Sequence, residues 1–118
     1  MPTKPGEGRK LGRPENHRNA LLRNLATSIF QHERVSTTEA KAKELRRFAD
    51  RLINQAKPGD LNARRYVYRY IQDKEVRKKI FEVLVPRYQS RVGGYTQIFH
   101  LGSRKGDNAK ISLLKLMP

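Results

Sequence analysis

The fold of this chain is organised around residues 34–59, which have the sequence RVSTTEAKAKELRRFADRLINQAKPG. Its apolar residues recur at intervals of three and four, the spacing of one stripe along an α-helix. The stripe comprises Leu45, Phe48, Ala49, Leu52, Ile53 and Ala56. The rest of the helix surface is mostly cationic and carries Lys41, Lys43, Arg46, Arg47 and Arg51, with Asp50 among them. One face of the helix is therefore predicted to form core and the other to carry positive charge.

Both ends of this helix are marked in the sequence. The hydroxyl residues at 36–38 suit an N-cap, and Ser36 together with Glu39 can form a capping box. Pro58-Gly59 is predicted to end the helix, because proline cannot continue it and glycine can adopt a left-handed turn.

Composition restricts the possible function. The chain has 118 residues, 36% of them hydrophobic, and a formal net charge of +15. This length predicts one domain, and so large a positive excess indicates a polyanionic partner. The absence of cysteine excludes disulfides and thiolate zinc sites. No secretory leader or membrane span is recognisable, so a soluble cytoplasmic protein is expected. Binding to an anionic membrane surface is disfavoured, because the apolar stripes are needed for a core.

The sequence on either side of the central helix predicts the other elements of the domain. Residues 1–13 are rich in proline, glycine and cations, and are interpreted as a flexible basic arm that orders along phosphates rather than a merely solubilising terminus. Residues 14–118 are predicted to form a single globular domain. A first helix should run from Pro14-Glu15 to about Gln31, followed by a short strand near Val35. Asp60 is a predicted N-cap for a helix over 61–72.

The second half of the chain completes an α+β fold. Asp73 is a predicted N-cap for a helix over 74–85 that Pro86 ends. Alternating residues at 95–101 and 111–116 predict a β-hairpin around a loop at 102–108. The expected architecture is about four helices packed on a small antiparallel or mixed sheet, made of this C-terminal hairpin and the strand near Val35.

No catalytic pattern is recognisable in the sequence. The three histidines lack metal-ligand spacing, no phosphate-binding GxxxxGK[ST] loop occurs, and no metal or cofactor is predicted. An enzyme is not expected; a Mg²⁺-dependent nuclease using Asp50 or Asp73 is the enzymatic alternative. The basic residues are spread over every segment instead of one recognition helix, which favours a protein embedded in folded RNA. A nucleoid protein that binds duplex DNA without sequence preference is the second alternative.

Longer motifs connect the chain to a known family. GRKLGRPENHRNALLRNLATSIFQHERVSTTEAKAKELRRFADRLINQAK, GDLNARR and VRKKIFEVLVPRYQSRVGGYTQI together resemble the bacterial large-subunit ribosomal protein seventeen family, from residue 8 onward. The resemblance implies a cytoplasmic, non-catalytic ribosomal component with no small-molecule substrate. It would bind large-subunit ribosomal RNA near the exit of the nascent-peptide tunnel, next to neighbouring ribosomal proteins. The chain departs from the family pattern before residue 8 and at Gln97, where a cation is usual.

The resemblance also implies an RNA-facing set of residues. By matching motifs it comprises Arg9, Lys10, Arg13, His17, Arg18, Arg23, Lys41, Lys43, Arg46, Arg87, Arg91 and Tyr95. The spread of basic residues over the other segments adds Lys4, Arg64, Arg65, Arg69, Arg104 and Lys105 as predicted RNA contacts.

Overall fold

A computed structural model describes residues 15–118, with side chains from residue 19 onward. The helices are α1 (Glu15–His32), α2 (Glu39–Ala56), α3 (Leu61–Tyr70), α4 (Lys74–Lys79) and α5 (Val85–Tyr88), and a π-helical turn (Ile80–Leu84) joins α4 to α5. The strands are β1 (Arg34–Thr38), β2 (Thr96–Ser103) and β3 (Lys110–Leu116). Since α4, the π-helical turn and α5 run on without a break, the described residues form four helices and one sheet. The predicted α+β fold is confirmed.

The three strands form an antiparallel sheet in the order β1-β3-β2. The C-terminal strand β3 is central. It pairs with β2, as the predicted hairpin requires, and with β1, the strand near Val35. Ser112, Leu114 and Leu116 of β3 are buried against the helices, and Leu114 and Leu116 belong to the main core. The helices therefore cover one face of the sheet.

The apolar stripe of α2 forms the centre of the core. Five of its six residues are buried, and Phe48 is half-buried against them. Around this stripe pack side chains from α1, α3, the π-helical turn and β3, among them Ile29, Phe30, Val67, Ile80, Leu84 and Leu114. The helices α1 and α3 and the π-helical turn thus bury apolar side chains against α2.

The start of α2 differs from the predicted capping box. Ser36 lies inside β1, opposite Leu113 of β3, and the N-cap is Thr38, whose side chain makes no capping hydrogen bond. Because the ladder with β3 holds residues 34–38 extended, the strand passes directly into the helix. The other end is as predicted: α2 stops at Ala56, and Gly59 follows with φ +69° and an N–H that donates to the Ala56 carbonyl.

The helices after α2 begin where their caps predict. The Asp60 carboxylate accepts from the Ala63 N–H at 2.9 Å, and Asp73 accepts from the Glu75 N–H at 2.9 Å. The end predicted at Pro86 is wrong, because the helix continues to Tyr88. The π-helical turn explains this, since its wider hydrogen bonds move the preceding carbonyls away from the proline ring, and Pro86 then falls in the first turn of α5.

Candidate nucleic-acid interface

Most predicted contacts within the described side chains lie at the surface. The exposed ones are Arg23, Lys43, Arg46, Arg64, Arg65, Arg69, Arg91, Arg104 and Lys105. Lys41 and Arg87 are half-buried, and Tyr95 is buried. Lys4, Arg9, Lys10 and Arg13 lie outside the described residues. The backbone of His17 and Arg18 belongs to the start of α1, but their side chains lie outside the described part.

The outer face of α2 carries a basic ridge. Lys43, Arg47 and Arg51 follow one another at intervals of four, so they share one side of the helix, and all three are exposed. Acids of the preceding turn pair with two of them: Lys43 Nζ lies 3.2 Å from Glu39, and Arg47 Nη1 lies 3.7 Å from Glu44. The predicted set contained Lys43 but not Arg47 or Arg51, although their spacing in the sequence gives the signal.

The cations of α3 point in two directions. Arg65 and Arg69 are one turn apart and exposed, so they form a second basic row. The guanidinium of Arg64 lies instead over the ring of Phe81, 4.9 Å from its centroid. This contact joins α3 to the π-helical turn and holds Arg64 in a fixed position on the surface.

Arg87 is bound within the protein. Its guanidinium donates to the Glu33 carboxylate at 2.5 and 3.4 Å, and Lys79 Nζ lies 3.2 Å from the same carboxylate. These bonds, Arg87 first, hold the pKa of Glu33 below its ordinary value, and the pKa of Arg87 is raised in turn. Arg87 thus fixes α5 to the junction between α1 and β1.

The predicted interface included Tyr95, which the structure places in the core. Its side chain is completely buried, its hydroxyl donates to Asn54 Oδ1 at 2.5 Å or to the Arg91 carbonyl at 3.2 Å, and its ring packs on Tyr88. The Lys57 ammonium lies 4.7 Å from the ring centroid. Tyr95 is therefore a core residue that positions Arg91, and it presents no surface to RNA.

The loop between β2 and β3 is closed by its own ion pair. Arg104 donates to Asp107 through Nη2 at 2.5 Å and through Nε at 3.2 Å. The Arg104 hydrogen bond lowers the pKa of Asp107 from 3.8 to about 2. The loop presents Lys105, at its tip, as an exposed cation.

The carboxylates considered for a nuclease have structural roles. Asp50 is half-buried, accepts from Thr96 Oγ1 at 3.3 Å, and has its pKa raised by burial. Asp73 is the N-cap of α4. Within residues 19–118, no three His, Asp or Glu side chains lie close enough together to hold a metal ion.

Comparison with known proteins identifies the family. The model of the family described as ribosomal protein L17 matches residues 21–117. The chain belongs to the ribosomal protein L17 family. Relatives named large ribosomal subunit protein bL17 are 51% identical over 109 residues in Caldanaerobacter subterraneus subsp. tengcongensis and 51% over 110 residues in Syntrophotalea carbinolica. A third, from Geobacter metallireducens, is 52% identical over 110 residues. The matches cover 92%, 93% and 93% of this chain, and 97%, 71% and 62% of the respective relatives.

Membership of the ribosomal protein L17 family confirms the resemblance seen in the sequence. The family consists of ribosomal proteins of the large subunit and not of enzymes, so the prediction of a non-catalytic component of the cytoplasmic ribosome is confirmed. None of the helices in the described part of the chain is long and apolar enough to cross a membrane.

Proposed function

We propose that this protein binds large-subunit ribosomal RNA near the exit of the nascent-peptide tunnel, in contact with neighbouring ribosomal proteins. The observation that carries the RNA contact is the distribution of exposed cations. They project from α2, α3 and the β2–β3 loop, so RNA backbone can be contacted from several sides of one small domain. The location at the tunnel exit rests on the family resemblance.

The contacts are proposed to be mainly electrostatic. Lysine and arginine side chains that neutralise phosphates release condensed counterions, and affinity then falls steeply with salt. With roughly six to ten phosphate contacts, binding should weaken about 10³- to 10⁵-fold between about 50 and 200 mM salt. Residues 1–13, which carry Lys4, Arg9, Lys10 and Arg13, are proposed to act as a basic arm that adds to these contacts beside the globular domain of residues 14–118.

The proposal is tested first by co-sedimentation. Tagged protein in a cell extract is run on sucrose gradients at physiological Mg²⁺ and at increasing salt concentrations. We expect it to sediment with the large subunit at physiological salt and to dissociate as the salt concentration rises. Crosslinking to the RNA at physiological salt then locates it relative to the tunnel exit. Protein that runs free of intact subunits at physiological salt would contradict the proposal, and a crosslink far from the tunnel would contradict only the location.

Individual contacts are tested on the basic row of α3. Arg65→Gln and Arg69→Gln should each reduce the slope of log affinity against log salt by about 0.9, the loss expected for one phosphate contact. Asn62→Ala on the same helix is the matched control, since it changes an exposed neutral residue. A slope that both arginine variants leave unchanged would remove this row from the interface.

Duplex DNA serves as the competitor that tests the nucleoid alternative. A ribosomal component should bind large-subunit RNA in preference to a DNA duplex at the same salt concentration. Equal affinity for both would favour the alternative, because phosphate contacts alone do not distinguish folded RNA from DNA.

A further inference from the structure

A basic cleft lies between α3 and the helix that follows it. Its volume is about 410 Å³, within the range of about 300–1,000 Å³ that is usual for small-ligand sites. Four cations and two aromatic rings line it. These six residues, here called the α3–α4 cleft, are Arg64, Tyr68, Lys74, Arg77, Lys78 and Phe81. Glu82 also lines it, so four positive charges face one negative charge.

Two cation–π pairs cross this cleft in opposite directions. On α3, Arg64 lies over Phe81 at 4.9 Å, and on α4, Arg77 lies over Tyr68 at 4.1 Å. The pairing is reciprocal, because α3 supplies Arg64 and Tyr68 while α4 and the π-helical turn that continues it supply Arg77 and Phe81, in each case at a spacing of four residues. Each contact attracts a guanidinium to an aromatic ring across the cleft.

Arg77 is held more firmly than a surface arginine. Its Nη1 donates to the carbonyl of Ile71 at 2.9 Å and to that of Gln72 at 2.8 Å, at the connection between α3 and α4. These bonds hold the guanidinium near the Tyr68 ring, 4.1 Å from its centroid. Tyr68 is nevertheless 60% exposed, so much of its side chain remains open to solvent.

An exposed tyrosine among four cations suits a nucleotide. A base can stack on the open face of an aromatic ring, while lysine and arginine bind the flanking phosphates. Paired bases inside a duplex cannot reach such a ring, because both of their faces are covered by neighbouring pairs; only the two terminal pairs have one open face. We propose that the α3–α4 cleft binds one unstacked nucleotide of single-stranded RNA, its base on Tyr68 and its phosphates on Lys74, Lys78 and Arg64. This inference rests on the proposed RNA binding and adds a single-stranded contact to it.

The test compares two RNA probes with the full chain. One is a uridine dodecamer, whose bases are largely unstacked, and the other is a blunt RNA duplex of about 24 base pairs. Tyr68→Ala should weaken binding of the dodecamer roughly 5- to 150-fold, the range for loss of one base–aromatic stack. Duplex affinity should change less than about twofold, since phosphate contacts are retained. Tyr68→Phe is the matched control and should bind both probes as the unmodified chain does.

A fluorescence measurement tests for base stacking at position 68 without relying on a change in binding affinity. The chain contains no tryptophan, so Tyr68→Trp introduces a single reporter in the α3–α4 cleft. We expect the dodecamer to quench its emission by stacking and the duplex to leave it nearly unchanged. Melting curves of each variant verify folding, which should be retained because Tyr68 lies at the surface.

The outcomes separate the two proposals. If the unmodified chain binds the RNA duplex and ribosomal RNA while Tyr68→Ala binds the dodecamer normally and Tyr68→Trp is not quenched, the nucleotide site is refuted and RNA binding remains. Failure of the unmodified chain to bind any RNA would refute both. Quenching by the duplex equal to that by the dodecamer would also overturn the single-stranded specificity, and would make the cleft a backbone contact.

Discussion

Glu33 connects three parts of the fold, and its carboxylate can be tested alone. Its N–H donates to the Ile29 carbonyl at 2.8 Å, and its carbonyl accepts from the Leu116 N–H at 2.9 Å. Its side chain forms ion pairs with Lys79 of α4 and Arg87 of α5. Glu33→Gln removes the charge but keeps the length of the side chain and the same demand on the backbone, which has φ +65° at this residue.

The expected cost follows from the exposure of the three groups. The side chains of Glu33, Arg87 and Lys79 are 37%, 25% and 25% exposed. Fully exposed ion pairs contribute about 0–1 kcal/mol, and hydrogen bonds to charged groups about 1.5–3 kcal/mol. Since solvent screens this partly exposed pair, we expect a loss of about 1 kcal/mol, or about 4 °C in melting temperature for a domain of this size. Lys79 keeps a second acceptor in the Gln31 carbonyl at 3.0 Å, so most of the loss should come from Arg87.

The stability lost in Glu33→Gln is expected to decrease as the pH falls. The pKa of Glu33 is lowered in the folded protein from an ordinary value of 4.5, mainly by its hydrogen bond to Arg87. A lowered carboxylate pKa stabilises the fold above the unfolded pKa, and this stabilisation is lost as pH falls through the folded pKa. The difference between Glu33→Gln and the unmodified chain should therefore be complete at pH 7 and shrink below about pH 4.5.

Urea unfolding followed by circular dichroism at several pH values measures this difference. A double-mutant cycle with Arg87→Gln isolates the pair, and Glu82→Gln is the matched control on an exposed carboxylate of the π-helical turn. A loss below about 0.3 kcal/mol at pH 7 would show that the Glu33–Arg87 pair does not stabilise the fold. So would a loss that is the same at pH 7 and at the acid end of the series, because it could not then come from the carboxylate charge.

Three further changes test other parts of the structure. Leu52→Ala should lower the free energy of unfolding by about 2–5 kcal/mol in urea, because Leu52 is buried in the α2 stripe; a loss below about 0.5 kcal/mol would contradict its burial. Asp60→Ala should cost about 1 kcal/mol through loss of the α3 cap, while Asp60→Asn retains most of the stability; equal losses in thermal melts would argue against capping. Deletion of residues 1–13 should leave the melting temperature nearly unchanged and weaken RNA binding; a large drop in melting temperature would show that these residues belong to the core.

The sequence predicts features that depend on neighbouring residues. Asp60 and Asp73 cap their helices because a short acceptor needs only the N–H groups two or three residues ahead. The stripe of α2 is visible because one helix buries one continuous face. The end of α2 at Gly59 is equally local, since it requires only a left-handed residue after the last turn.

The sequence does not predict contacts between residues that are far apart along the chain. Glu33 and Arg87 are 54 positions apart, and nothing near either residue indicates the pair. In the hairpin, alternation separates two faces but does not say which one is buried. Polar Thr96 and Ser112 face the helices, while Phe99 is 40% exposed on the opposite face. The buried face also holds Leu114 and Leu116, so the two faces are similarly apolar and hydrophobicity alone does not separate them; it likewise gave no sign that Tyr95 would be a core residue.

The ion pairs change what the net charge of the chain means for RNA binding. Arg87, Lys43 and Arg104 are each paired with a carboxylate of the same protein. A cation that already neutralises a carboxylate must break that pair or share it before it can neutralise a phosphate, so it releases fewer counterions. The salt dependence of RNA binding should consequently reflect Arg65, Arg69 and other cations outside such pairs more than the total of 26 lysines and arginines. The net charge therefore indicates the class of partner, whereas the pairing of individual cations determines how strongly each part of the surface binds it.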